Sequence, residues 1–196
     1  MARPNIGRFQ GALVVLSDAT ALMAFCAVGA GQTLLDYLQA KLIVTREVLG
    51  ELKRNHASMP SLAVTIAWLE DDEDERVHDL TSAHALEVTD FLQNYRTELD
   101  HPNEHLGEVA TVYGALELVD QGRRPLVCMD DQLGKSLCRA KNLDHADTPA
   151  LLIEMVCAKA IDFRLGQRVW QRMFTERRLW LAYRQRIKAA CPESLP

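Results

Sequence analysis

"PLVCMDDQLGKSLC", residues 125–138, runs from an uncharged apolar segment into two adjacent acids, Asp130 and Asp131, and then into a stretch of helical period. Pro125–Met129 has the length and composition of a buried strand, and Gln132–Asn142 those of a helix. Asp131 stands where an N-cap belongs, because a short carboxylate there accepts a bond from an otherwise orphaned helix N–H. The same pair of acids, at the carboxyl end of a strand, also stands where ligands enter open parallel sheets. Choosing between these readings depends on what else reaches that edge.

The pattern recurs along the chain. "ALVVL" (12–16) is another buried strand, and it too is followed by an acid, Asp18. "ATALMAFCAVGA" (19–30) then has helical character and is ended by Gly31, with a second helix over "TLLDYLQA" (33–40). "KLIVT" (41–45) is a strand, and "REVLGELKRN" (46–55) a helix whose Val48 and Leu52 share a face at i, i+4. "SLAVTIAWLE" (61–70) is a further helix, whereas the acids of "EDDEDER" (70–76) read as a solvated loop before a short strand, "VHDL" (77–80). "SAHALEVTDFLQNYRTEL" (82–99) is a long helix with Ser82 as N-cap. "HPN" (101–103) interrupts, and "HLGEVATVYGALELVDQG" (105–122) is a helix stopped by Gly122. "LDHAD" (143–147) is a short last strand, and "TPALLIEMVCAKA" (148–160) a helix with Thr148 as N-cap and Pro149 at its first position. Apolar runs alternating with helices indicate the α/β class, with a small parallel sheet between helices.

At 196 residues and 48% hydrophobic composition the chain can bury a sizeable core. The longest apolar stretch, "TALMAFCAVGAG" (20–31), is too short to span a bilayer, and "MARPNIGRFQ" (1–10) lacks the apolar segment of a secretory signal. Five scattered cysteines without a C-x-x-C pair read as reduced thiols, mostly small core residues, in a cytoplasmic protein. The net charge of −5 is unevenly spread: residues 162–190 hold eight Lys/Arg against two acids, a segment of +6, and Glu193 leaves −10 for residues 1–161. The chain therefore divides into a domain over 12–160 and a basic, amphipathic helical extension over 161–196. In that extension Val169, Met173, Trp180, Tyr183 and Ile187 lie near one stripe, suited to closing the core or to a homodimer interface. Arg164, Arg168 and Arg172 repeat every fourth residue beside it, a face able to touch phosphates.

Carboxylates that converge at a sheet edge repel one another, and they stay ionised only with positive charge between them. Mg²⁺ or Mn²⁺ suits such oxygen donors. Each acid also has an ordinary structural role open to it: Asp18 and Asp131 as caps, Glu51 in a pair on a solvated helix face, Glu108 favoured by the dipole of a helix start. No phosphate-cradling glycine loop and no G-x-S-x-G elbow is encoded. His101 and His105, spaced i, i+4 around Pro102, lack the H-E-x-x-H order of a zinc helix and read as surface residues. A phosphoaspartate mechanism needs an acid two residues after Asp18, where Thr20 stands.

Four stretches in this order, "VVLSDATAL", "LIVTREVLGELKR", "HLGEVATVYGAL" and "PLVCMDDQLGKSLCRAKNL", resemble the PIN domain, the nuclease fold of VapC-type toxins and related bacterial ribonucleases. "DTPALLIEMV" is similar to the helix after that family's last strand. The resemblance implies a three-layer α/β/α fold and cleavage of RNA dependent on a divalent metal, Mg²⁺ or Mn²⁺. It implies a catalytic quartet of Asp18, Glu51, Glu108 and Asp131. Asp18, Glu108, Asp130 and Asp131 would hold metal, Glu51 would orient the attacking water, and Thr20 would support Asp18 by a hydrogen bond. RNA would be held by Arg139 and by the extension's Arg164, Arg168 and Arg172. An antitoxin protein is the partner such a toxin implies, and no membrane is involved. Two positions depart from the family's pattern: His105 stands three residues before Glu108 where an acid is common, and Gln132 follows Asp131 where a basic residue is common. A module of this fold that cleaves weakly or not at all, and binds RNA or a protein through its extension, is the competing reading.

Overall fold

Strand β1 (Val14–Ser17) is the centre of a five-stranded, all-parallel sheet of order β3-β2-β1-β4-β5, completed by β2 (Leu42–Thr45), β3 (Val77–His78), β4 (Pro125–Cys128) and β5 (His145–Ala146). The computed structural model describes residues 7–97, 103–173 and 179–196. Twelve α-helices occur among them: α1 (Arg8–Gly11), α2 (Ala19–Cys26), α3 (Gly31–Leu38), α4 (Arg46–His56), α5 (Ala63–Asp71), α6 (Glu73–Arg76), α7 (Ser82–Tyr95), α8 (Leu106–Asp120), α9 (Gln132–Ala140), α10 (Thr148–Cys157), α11 (Phe163–Met173) and α12 (Leu179–Ala190).

Alternation along the strands sorts the helices into layers. Val15, Leu42, Val44, Leu126 and Cys128 face one side, where they join a core built with α2, α3, α4, α5, α10 and the C-terminal pair α11 and α12. Val14, Leu16, Ile43 and Val127 face the other side and meet α8 and α9, and α7 packs on the outer face of α8. Both faces are covered, which is why the strands read as continuous apolar runs rather than as alternating ones. The expected three-layer α/β/α architecture is therefore observed. Among the described residues, no helix is long and apolar enough to cross a membrane.

Several local expectations are corrected. The helix expected over 19–30 stops at Cys26, and Gly31 opens α3 instead of ending α2. Gly29 turns the chain with φ +76°, and a Cβ on Gly31 would stand 2.8 Å from Cys26 Sγ, so the two short helices fold back on each other at glycine. The acidic run 70–75 is largely helical, not a loop. Its charges find partners that the local sequence does not show: Lys53 Nζ lies 2.6 Å from Glu70, Arg46 pairs with Glu73, and the Arg76 guanidinium covers the Trp68 ring at 4.0 Å. The caps of α7 and α10 fall one residue earlier than expected. Thr81 and Asp147 take those positions from Ser82 and Thr148, and Pro149 becomes the second helical residue. Residues 98–102, including His101 and the expected end of α7, and the Trp180 side chain lie outside the described residues.

The extension is two helices packed on α10 and on each other. Val169, Tyr183 and Ile187 are buried, in keeping with a stripe that closes the core. Gly166 permits this packing, since a Cβ there would lie 2.3 Å from Tyr183 Oη. Cys157 at the end of α10 and Cys191 just past α12 form a disulfide. The expectation of five reduced thiols thus holds for Cys26, Cys128 and Cys138, which are free and buried, and fails for this pair. Such a bridge persists in oxidising surroundings. Only the return of α12 onto α10 brings the two residues together.

Candidate functional site

Strand order reverses direction at β1, so β1 and β4 flank the point where connections leave in opposite senses. The crevice beyond their carboxyl ends is where such sheets bind ligands. Asp18 follows β1 there. It caps α2 through Oδ1, which accepts from Ala21 N–H at 3.1 Å, while Oδ2 accepts from Asp130 N–H at 3.3 Å. The side chain is 1% exposed. Burial, then the charge of Asp130 and a smaller contribution from Glu108, push its pKa from 3.8 up to about 8, against the opposing backbone bonds.

Asp130 is half-buried, and its Oδ1 accepts from Thr148 N–H at 2.9 Å, which ties the end of β4 to the start of α10. Asp131 points elsewhere. Its Oδ1 accepts from Leu133 N–H at 2.6 Å and Gly134 N–H at 3.3 Å, and it is the N-cap of α9. The acid that faces Asp18 is therefore Asp130, in the position expected of Asp131. Thr20 also differs from expectation. The bonds that hold Asp18 come from backbone N–H groups, and Thr20 is exposed, lining a cleft beside Asp130.

Glu108 sits in the first turn of α8, and Glu51 on α4 reaches toward it. Gly107 makes the approach possible, because a Cβ there would lie 2.8 Å from Glu51 Oε2. Burial and then the Glu108 charge raise the Glu51 pKa, with Arg54 opposing. The acids thus form a row, Asp130–Asp18–Glu108–Glu51, each coupled to the next. One end opens on a cleft of about 670 Å³ that includes Asp130, and the other on a hollow of about 390 Å³ that includes Glu51, Arg54 and Glu108.

Comparison with the other strand ends shows what is unusual about this row. Asp79, after β3, is held in a two-pronged pair by Arg46 at 2.7 Å, and that partner keeps its pKa below the ordinary value. Asp147, after β5, caps α10 and has Lys135 at 4.0 Å. Among the described residues, no ion pair neutralises Asp18, Asp130, Glu108 or Glu51. Hard carboxylate oxygens without an ion-pair partner among the described residues, one of them fully buried, suit Mg²⁺ or Mn²⁺. No three His, Cys, Asp or Glu side chains among the described residues converge closely enough to enclose an ion. Mg²⁺, however, commonly keeps several waters and takes only one or two carboxylates, so the donor set fits.

Of the expected RNA contacts, Arg172 lines the cleft beside Asp130, whereas Arg164 and Arg168 are exposed outside it. Arg139 is exposed, and its Nε donates to Lys135 O at 3.1 Å. The sequence reading missed Lys135, Asp147 and Arg186, all of which line that cleft. Asp147 carried the same signal as Asp18, an acid directly after a strand and before a helix.

No family model, no curated protein and no solved structure matches the chain.

Proposed function

We propose that the chain is a divalent-metal-dependent endoribonuclease of the PIN type, hydrolysing RNA phosphodiester bonds. The observation that carries this reading is the row of carboxylates without ion-pair partners at the switch point, with Asp18 buried and pushed up to about 8 by its surroundings. A fold has little reason to bury an unpaired acid beside two others unless a cation completes the site.

In this reading Asp18 and Asp130 would hold the metal, with Glu108 as a further ligand. When bound, the metal supplies charge to offset that developing on the phosphate and acidity to activate water. Glu51 serves as the proton acceptor, since its raised pKa brings it closer to neutrality than an ordinary carboxylate. Asp131 fixes the first turn of α9 and so sets the direction in which Asp130 leaves β4. The toxin of a toxin–antitoxin pair is the setting the PIN resemblance suggests, and a small partner gene directly upstream would mark it.

Cleavage of a labelled RNA with Mg²⁺ or Mn²⁺ by wild type and Asp18→Asn tests the proposal. Wild type is expected to cleave and the variant to lose at least about a hundredfold in rate. Equal rates would sink the nuclease reading. The competing reading, a non-cleaving RNA or partner module, draws on the absence of three converged ligands among the described residues. It predicts RNA binding with no metal-dependent cleavage by either protein.

A further inference from the structure

The cleft of about 670 Å³ beside Asp130 has two walls of different origin. Thr20, Asp130 and Lys135 come from the sheet's carboxyl edge and α9, whereas Trp170, Arg172 and Arg186 come from the helical extension. Arg172 and Arg186 are exposed and have no carboxylate partner among the described residues. Arg186 is held over the Trp170 ring, its guanidinium carbon 5.5 Å from the ring centroid. Lys135 lies 4.0 Å from Asp147. Three cations thus line the cleft that includes Asp130, in a chain whose net charge is −5.

We propose that the extension is half of the substrate site: Arg172 and Arg186, with Lys135, grip the phosphates of single-stranded RNA next to the scissile bond, while Asp18 and Asp130 address that bond. The inference deepens the nuclease reading and rests on it for the word "scissile", but the binding itself does not require cleavage. Arg172 and Arg186 line the cleft from the extension and Asp130 from the sheet's edge, so one strand can have one phosphate at the acid row and another at the arginines. A hollow of about 670 Å³ is the size of a small-ligand pocket, room for a nucleotide or two but not for a duplex. Half-buried Met23 and Met59 line the same cleft and give bases an apolar, adaptable surface.

The test is fluorescence anisotropy with a labelled single-stranded oligoribonucleotide and the full chain, in EDTA so that nothing is cleaved, across a salt series. The proteins are wild type, Arg172→Ala/Arg186→Ala, Asp18→Asn, and Arg123→Ala/Arg124→Ala at the opposite end of the sheet as a control. Both arginines of the first pair are exposed, so folding is expected to survive, and circular dichroism checks it. The extension variant should bind at least about tenfold more weakly, with a salt slope shallower by roughly 1.4, the value for two lost single-strand phosphate contacts. The Arg123→Ala/Arg124→Ala control should bind as wild type does. An unchanged slope in the extension variant, or no RNA binding by wild type, overturns the clamp. Equal competition by duplex RNA or by poly-aspartate would overturn the single-strand assignment. If Asp18→Asn cleaves RNA as fast as wild type in Mn²⁺ while the slopes behave as expected, the nuclease reading fails and the clamp stands.

Discussion

Replacing Asp18 with Asn should stabilise the protein in the absence of metal. The folded pKa of about 8 lies above the ordinary 3.8, so the ionised carboxylate is disfavoured by folding. That penalty is absent below the unfolded value, grows as pH rises between the two, and is constant above the folded one. Each pH unit in that window is worth about 1.4 kcal/mol, so the ceiling near pH 7 is about 4 kcal/mol. Asn keeps the cap bond from Ala21 N–H but turns an amide group toward Asp130 N–H, at a cost of about 1 kcal/mol. A net gain of about 3 kcal/mol near neutrality follows, smaller toward pH 5 and largest toward pH 9. Urea denaturation of both proteins in EDTA across that range measures it. Adding Mn²⁺ should raise the wild-type midpoint and leave the variant's in place. A variant no more stable than wild type at pH 9 in EDTA would refute the claim that Asp18 is a buried acid without counter-charge.

Gly107→Ala puts a Cβ 2.8 Å from Glu51 Oε2 and should swing that carboxylate away from Glu108. RNA cleavage should fall about tenfold or more with the melting temperature nearly unchanged, read by single-turnover rates beside calorimetry. Glu117 on α8 accepts from Thr81 N–H and Oγ1 and from His84 and His78 ring nitrogens at 2.7–2.8 Å, anchoring α7 and the end of β3. Glu117→Ala should cost about 3 kcal/mol in urea titrations, since one truncation removes four bonds made to a buried carboxylate. Burial pushes the Glu117 pKa up, but these bonds outweigh it and hold the value below the ordinary one. Its contribution is therefore present above the unfolded pKa, and the wild-type advantage over Glu117→Ala should shrink as pH falls through the folded value. Cys157→Ser opens a link across 34 residues and should cost roughly 3–4 kcal/mol. Reduced wild type should unfold at the same midpoint as the variant, and an unchanged midpoint on reduction would show that α12 docks without the bond.

The sheet was legible because β1, β2 and β4 are uncharged runs buried on both faces, a property written into four or five consecutive residues. Asp18, Glu51 and Glu108 were legible by order, each at a strand end or on one of two helices that a glycine brings close. The choice between Asp130 and Asp131 was not. Both follow β4, and which one turns inward is decided by the cap of α9 and by the bond from Thr148, a residue of another element. Partners far along the chain explain the other gaps. Arg46 and Lys53 convert an acidic run from apparent loop to helix, and Cys157 meets Cys191 only through the fold of α11 and α12. Arg186 carried no periodic signal, since its role depends on the cleft that α12 closes rather than on its own helix.

The pairing of β1 with β4 has a consequence in time. Val14 lies beside Pro125, so the central ladder joins β1 to a strand that leaves the ribosome more than a hundred residues after it. A growing chain can pair β1 with β2 early, but it has no partner for the other edge of β1 until Cys128 has emerged. Asp18 gains its neighbour Asp130 only then, and Arg186 arrives later still. Contacts so distant along the chain form slowly. Whatever chemistry these acids perform is therefore withheld from the nascent polypeptide until more than a hundred residues have followed β1.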